Sequence, residues 1–311
     1  MPLAKAFAGS TRAAVFAKLE MLNPMGSAKD RAVSSMLLAA IQDGVVIPGL
    51  TTVIESTSGN TGVALAAICK FFGLPLICVT DGRMTGPHGN VIRALGAIVE
   101  EITIPDPATG ELLPARIRRV QDLLREIQPS FWPNQYGNLN NALAHRTTFA
   151  EIVEQLGSAP DYLLCATGTC GTLRGCADYV AQHGLPTKVI AVDAVGSRIF
   201  SNVTQRRLIP GLGSAIRPPL VEGVPVARVV HISEAEAVAG SRRLLESEAI
   251  LAGGSSGAVI SAVDRCGDLF DETTKVVGIL ADAGERYLDT IFNDCWVAEK
   301  IGAQAVEGVH V

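Results

Sequence analysis

The 311-residue chain has few aromatic residues (5%) and few charged ones (18%), and its apolar stretches are short, interrupted by Gly, Pro or charge. None reaches the ~20 consecutive apolar residues that a membrane-crossing helix needs, so no membrane association is expected. Positive charge is not in excess: 26 Lys and Arg against 31 Asp and Glu leave a net charge of −5. Such a chain has no sequence-independent attraction for nucleic-acid backbones or anionic lipid. Any CxxC pair is also missing. The seven cysteines, at 69, 78, 165, 170, 176, 266 and 295, are odd in number and scattered. That pattern argues for free buried thiols in a reducing cytoplasm rather than a disulfide framework or a zinc site, and no metal is expected. The Ala-rich stretch from Met1 to Ala17 superficially resembles a targeting peptide, but cleaving it would leave little chain before Lys29, so a cytoplasmic location is expected.

What the chain does have is a rhythm of short β-branched runs alternating with amphipathic segments, the pattern of parallel sheets covered on both faces. Its length suits two packed lobes better than one small core. Strands are predicted at Ala14–Glu20, Thr51–Glu55, Pro75–Asp81, Ala97–Ile102, Phe131–Tyr136, Asp161–Thr167, Lys188–Val195, Arg228–Ser233 and Lys275–Asp282. Over Asp30–Asp43, Val33, Met36, Leu37, Ala40 and Ile41 recur at helical spacing before Gly44, and Arg116–Ile127 repeats the pattern. Gly196–Val224 carries several Pro and Gly and no clean period, and is predicted to be irregular.

Four loops carry candidate chemistry. In Asn23–Arg31 a strand ends at a Pro/Gly turn and a helix starts, with Ser27 as the expected N-cap and Lys29 in the first turn. A cation there opposes the helix dipole, which favours the neutral amine; taken alone, Lys29 still reads as a surface lysine. Ser56–Gly62, STSGNTG, follows a strand and opens a helix, Val63–Phe72. Its run of hydroxyl and amide side chains suits a carboxylate or phosphate at a helix N-terminus. Ala166–Thr172, ATGTCGT, lies between a strand and the helix Leu173–His183, with glycines for close approach and threonine hydroxyls for a phosphate. Ala252–Ala258, AGGSSGA, is a similar loop, and in isolation a simple turn explains it equally well.

Taken in this order, the four loops resemble the cysteine synthase-like family of pyridoxal 5′-phosphate (PLP) enzymes across nearly the whole chain. The resemblance implies an α/β protein of PLP fold type II, tryptophan synthase beta-like, with two doubly wound lobes and mostly parallel sheets. It implies a smaller lobe over 35–142, a larger one from 1–34 and 143–311, and PLP in the cleft between them. Lys29 would carry PLP as a Schiff base. Asn60 would hydrogen-bond the cofactor's phenolic oxygen, and Gly168, Thr169, Cys170, Gly171 and Thr172 would bind its phosphate, with Cys170 in place of a family glycine. Ser255 would face the pyridine nitrogen, while Thr57, Ser58, Gly59 and Thr61 would hold the substrate carboxylate. A neutral hydroxyl cannot keep the pyridine protonated as an aspartate would, so the ring is a weaker electron sink and favours β-replacement. Lys29, once released, is the expected base.

Finer likeness in CATGTCGTLRGCADYV, VIAVDAVGSRIF, RLIPGLGSAIRP and GERYLDT points to synthases of 2,3-diaminopropionate in siderophore and antibiotic biosynthesis. These imply a transferase that joins O-phospho-L-serine to L-glutamate through a bound aminoacrylate, giving N-(2-amino-2-carboxyethyl)-L-glutamate and phosphate. Arg207 and Arg217, flanking the turn at Gly211, are candidates for the anionic groups, and Gln135 and Tyr136 for the pocket wall. His145 reads as a core or capping residue, because a lysine already supplies the base. An O-acetylserine or O-phosphoserine sulfhydrylase is the alternative within the same chemistry, and a non-catalytic binding protein the alternative outside it. The partners implied are small amino acids and, from the resemblance, a second copy in a homodimer.

Overall fold

The computed structural model describes residues 1–82, 84 and 86–307. Its strands are β1 (Ala14–Leu19), β2 (Thr52–Ser56), β3 (Leu76–Thr80), β4 (Ile98–Glu101), β5 (Ser130–Phe131), β6 (Tyr162–Ala166), β7 (Lys188–Ala194), β8 (Arg228–Ile232) and β9 (Lys275–Leu280). The helices are α1 (Lys29–Gln42), α2 (Asn60–Phe72), α3 (Gly86–Ala94), α4 (Leu112–Glu126), α5 (Leu139–Leu156) and α6 (Gly171–Gln182). They continue with α7 (Glu234–Glu248), α8 (Gly254–Arg265), α9 (Asp294–Lys300) and α10 (Gln304–Glu307).

Every strand pairs in parallel, in two sheets: β4-β3-β2-β5, and β1-β9-β6-β7-β8. The α/β fold with two parallel-sheet lobes expected from the sequence is therefore present. β3 is buried along its whole length, and β7 and β9 at every position after the first lysine, which requires cover on both faces and explains why these strands read as continuous apolar runs. Six of the seven cysteines are buried among these side chains and act as small hydrophobes. No helix among the described residues is long and apolar enough to cross a membrane.

All nine expected strands occur, shortened by a residue or two at most ends. The exception is the fifth, expected over Phe131–Tyr136 but paired only at Ser130 and Phe131. Pro133 offers no N–H, and Asn134 takes φ 50°, so the ladder ends and the chain turns. The expected N-cap also shifts. The residue before α1 is Ala28; Ser27 stands one place earlier, where its hydroxyl accepts the Lys29 N–H at 3.3 Å. Asp30 turns back to accept the Met25 N–H at 2.7 Å. The stretch 196–224 is irregular as expected, with one 3-10 turn at Pro219–Val221.

One close approach positions the site. A Cβ on Gly257 would lie 2.0 Å from the Ala237 carbonyl and one on Gly240 2.1 Å from the Gly257 carbonyl. Only glycines let α7 and α8 come this near, and that contact seats the first turn of α8, with Ser255, at the end of the sheet.

Candidate active site

In parallel sheets every loop that follows a strand emerges at the same edge, so chemistry collects at the carboxyl ends. Here Ser27 and Lys29 follow β1, Thr57–Thr61 follow β2, Gly168–Thr172 follow β6, Asp282 follows β9 and Ser255 opens α8. They line one cavity of about 190 Å³. Every candidate residue named from the sequence lines it except Arg217, whose guanidinium donates instead to the Ile199 carbonyl at 2.8 Å.

Lys29 is the first residue of α1. Burial holds its amine below the ordinary lysine range, against the opposing pull of Asp282 and Asp30. A neutral amine is the form that attacks a carbonyl or accepts a proton. Two residues on, Arg31 fastens α1 to α5 through a bidentate pair with Glu151, both contacts 2.7 Å, and to Glu20 at 2.7 Å. The lysine thus sits on a helix start that is held from two sides.

The loop after β2 is more committed internally than its sequence suggests. The Thr57 hydroxyl accepts the Gly62 N–H at 3.1 Å, capping α2, and Thr61 donates to the Gln135 side chain at 2.7 Å. The Ser58 hydroxyl donates to Asp81 at 3.2 Å and accepts from Arg116. Gln135 is stitched in likewise, its amide donating to the Ser56 carbonyl at 3.0 Å. These residues shape the wall, and the helix start at Gly59 and Asn60 presents the positive end of the α2 dipole to the cavity.

The loop after β6 forms a second helix start. Cys170 takes φ 66°, left-handed backbone that favours glycine, and burial pushes its thiol up to about 12, so it packs as a neutral group. A Cβ on Gly171 would meet the Asn141 side chain at 2.1 Å, and one on Gly168 the Gly211 carbonyl at 2.9 Å. Asn141 donates to Thr169 at 3.2 Å, and the His145 ring meets the Thr172 hydroxyl at 3.3 Å. His145 is buried and, mainly through that burial, lowered to about 3, so its neutral ring supports the loop.

Sequence reasoning missed three ionisable residues of the cavity wall. Arg116 is buried on α4 and pairs with Asp81 at 3.4 Å. It shares the buried face of α4 with Leu113, Val120 and Leu123, and a charge on an apolar helical stripe was the available signal. Asp282 and Tyr287 lie beyond β9 in a stretch that looked like strand end and turn. Tyr287 donates to Asp282 at 2.6 Å, and burial raises both groups above their ordinary ranges. Only the fold brings them to Asn60.

The residues present fit PLP. Two helix starts face one cavity, glycines at 168 and 171 allow close approach at the α6 start, and a lysine whose amine burial lowers lines the same cavity. Gly168–Thr172 would hold the phosphate, Lys29 the aldehyde carbon and Ser255 the pyridine nitrogen. Once bound, PLP supplies an electron sink for removal of a substrate α-proton.

Comparison with known proteins agrees. Residues 1–282 match the family described as pyridoxal-phosphate dependent enzyme, and the chain belongs to it. It is a PLP-dependent, synthase-type enzyme. Among solved structures it is similar to the O-acetylserine dependent cystathionine beta-synthase from Helicobacter pylori, at 30% identity and TM-score 0.85, covering 92% of each chain. A hydrogen sulfide-producing enzyme from Fusobacterium nucleatum matches at 29% and 0.84, over 93% of this chain and 95% of that one. O-ureido-L-serine synthase matches at 30% and 0.82, over 92% of each.

Proposed function

We propose that the chain replaces the β-substituent of O-phospho-L-serine with the amine of L-glutamate, forming N-(2-amino-2-carboxyethyl)-L-glutamate and phosphate. This serves 2,3-diaminopropionate and siderophore biosynthesis, in the cytoplasm and as a homodimer. The observation that carries the reading is the buried guanidinium of Arg116 in the cavity wall beside Ser58. A phosphate leaving group is a dianion, and a cation already desolvated by the fold stabilises it far more than an exposed one would. Arg207, on the far loop, adds a second cation to the wall while its Nη1 donates to the Gly196 carbonyl at 2.5 Å.

Lys29 takes the α-proton as its neutral amine and returns it after the nucleophile has added. The helix starts at Asn60 and Gly171 hold anionic groups in the cavity they both line, and the apolar segment Leu208–Leu212 limits water there. The test is phosphate release from O-phospho-L-serine, with product mass, in the presence of L-glutamate, sulfide or homocysteine. Glutamate-dependent release with the expected adduct supports the proposal. Cysteine formed from sulfide far faster than the glutamate adduct overturns it in favour of a sulfhydrylase, and a colourless protein that binds no PLP overturns both.

A further inference from the structure

The side chain of Asn60 is held at both ends by residues that come from the other end of the sequence. Its Oδ1 accepts from Arg286 Nη1 at 2.6 Å and lies 3.1 Å from His88 Nε2; its Nδ2 donates to Asp282 Oδ2 at 2.7 Å. Amide oxygen and nitrogen have nearly the same shape, so only the surrounding donors and acceptors fix which way an asparagine faces. Here they leave no choice. A guanidinium can only donate, and Asp282 Oδ2 is the acceptor in this network, taking the Tyr287 hydroxyl at 2.6 Å as well as the Asn60 amide. Turning the amide over would set carbonyl against carboxylate and NH2 against guanidinium, two buried repulsions at once. Arg286 is itself fixed, through a 2.6 Å bond to the Met25 carbonyl in the turn before Lys29.

The chemistry of PLP gives this arrangement a purpose. The phenolic oxygen sits on the ring carbon next to the one bearing the aldehyde, so the group that meets it must neighbour the lysine that takes the aldehyde. Asn60 and Asp282 line the cavity with Lys29. Asp282 facing that oxygen would repel its ionised form; an amide interposed with its NH2 outward stabilises it.

We propose that Arg286 and Asp282 are a pair of positioning residues that lock the Asn60 amide in one orientation, so that its NH2 edge is offered to the cofactor's phenolic oxygen. His88, neutral because burial lowers it to about 4, assists by donating from Nε2 to the same Oδ1. The proposal goes beyond the choice of substrates and rests on Asn60 serving the phenolic oxygen.

The experiment is the absorption spectrum of the PLP-bound protein, read as the ratio of phenolate to phenol forms at fixed pH. The dissociation constant of PLP from the cofactor-free protein is the second readout. Asn60→Ala lowers the ratio about tenfold, the effect of losing one hydrogen bond to a charged group. Arg286→Met and Asp282→Leu each lower it less, the double variant lowers it to the Asn60→Ala level, and PLP binding weakens in parallel. Arg286→Lys, which keeps a donor, stays near wild type. Thermal unfolding of the cofactor-free proteins checks that each folds; if the double variant does not, the Arg286→Lys and Arg286→Met pair decides. An unchanged ratio in Asn60→Ala overturns the assignment of Asn60 and the proposal with it. A shift in Asn60→Ala with none in the Arg286 and Asp282 variants overturns the lock alone.

Discussion

The indole nitrogen of Trp132 donates to the buried carboxyl of Glu55 at 3.0 Å, tying the turn after β5 to the end of β2. Glu55 also accepts from the backbone N–H of Ser56 at 2.8 Å and of Gln135 at 3.2 Å. Through these bonds one carboxyl fixes the wall on which Gln135 and Tyr136 stand, behind the loop that begins at Ser56.

Burial raises Glu55 from 4.5 to about 7, outweighing its hydrogen bonds and the charge of Arg116. Because the folded state holds this proton more tightly than the unfolded chain, the contribution is fully present below pH ~4.5. It is lost as pH climbs to about 7 and then levels off. The shift corresponds to about 3 kcal/mol. Glu55→Gln lacks this term, so the wild-type advantage in unfolding free energy shrinks between about pH 4.5 and pH 7, as measured by denaturant titration at each pH.

On the role proposed for Lys29, Lys29→Ala removes both the amine that would carry PLP and the base that would move the α-proton. The protein added to PLP then lacks the visible band of the bound cofactor, and turnover falls by roughly 10²–10⁴, the usual contribution of a general base. Folding persists, since the charge removed is one that burial already disfavours.

Arg116→Met discriminates between leaving groups. With O-phospho-L-serine the ratio kcat/KM falls by about 10² or more, while O-acetyl-L-serine, whose leaving group carries less charge, loses less. The substitution also removes the ion pair of buried Asp81 with Arg116, at 3.4 Å, which lowers stability. Arg116→Met with Asp81→Asn restores stability but not phosphoserine turnover, which separates the two effects by thermal unfolding and steady-state kinetics.

Gly171→Ala drives a methyl group into the Asn141 side chain, which its Cβ would approach to 2.1 Å. Overpacking of this kind costs about 1–3 kcal/mol and disturbs Thr169, to which Asn141 donates. PLP affinity falls. Adding Asn141→Ala recovers part of the stability, because the obstacle is a side chain and not the backbone, and a double-mutant cycle on unfolding free energy measures the coupling.

The parallel α/β architecture and most of the cavity were legible in the chain itself. Short apolar runs bounded by Gly and Pro located the strands, the fifth only at its first residues, and burial on both faces leaves that mark most plainly in β3, β7 and β9. Lys29, the loops 57–61 and 168–172, and Ser255 were legible because a helix start that binds anions needs glycines and hydroxyls at adjacent positions. Arg116, Asp282 and Arg286 were not, because a buried charge is defined by partners far off in sequence, and single-sequence periodicity carries no record of them. The structure also moved expectations. It took Arg217 out of the cavity wall and spent the side chains of Thr57, Thr61 and Gln135 on one another and on the backbone. The sequence by itself determined which loops open helices with glycines and hydroxyls at the sheet ends, because that is a property of local backbone and residue type. Only the tertiary structure decided which way Asn60 faces, because the donor and the acceptor that orient it arrive 226 and 222 residues later in the chain.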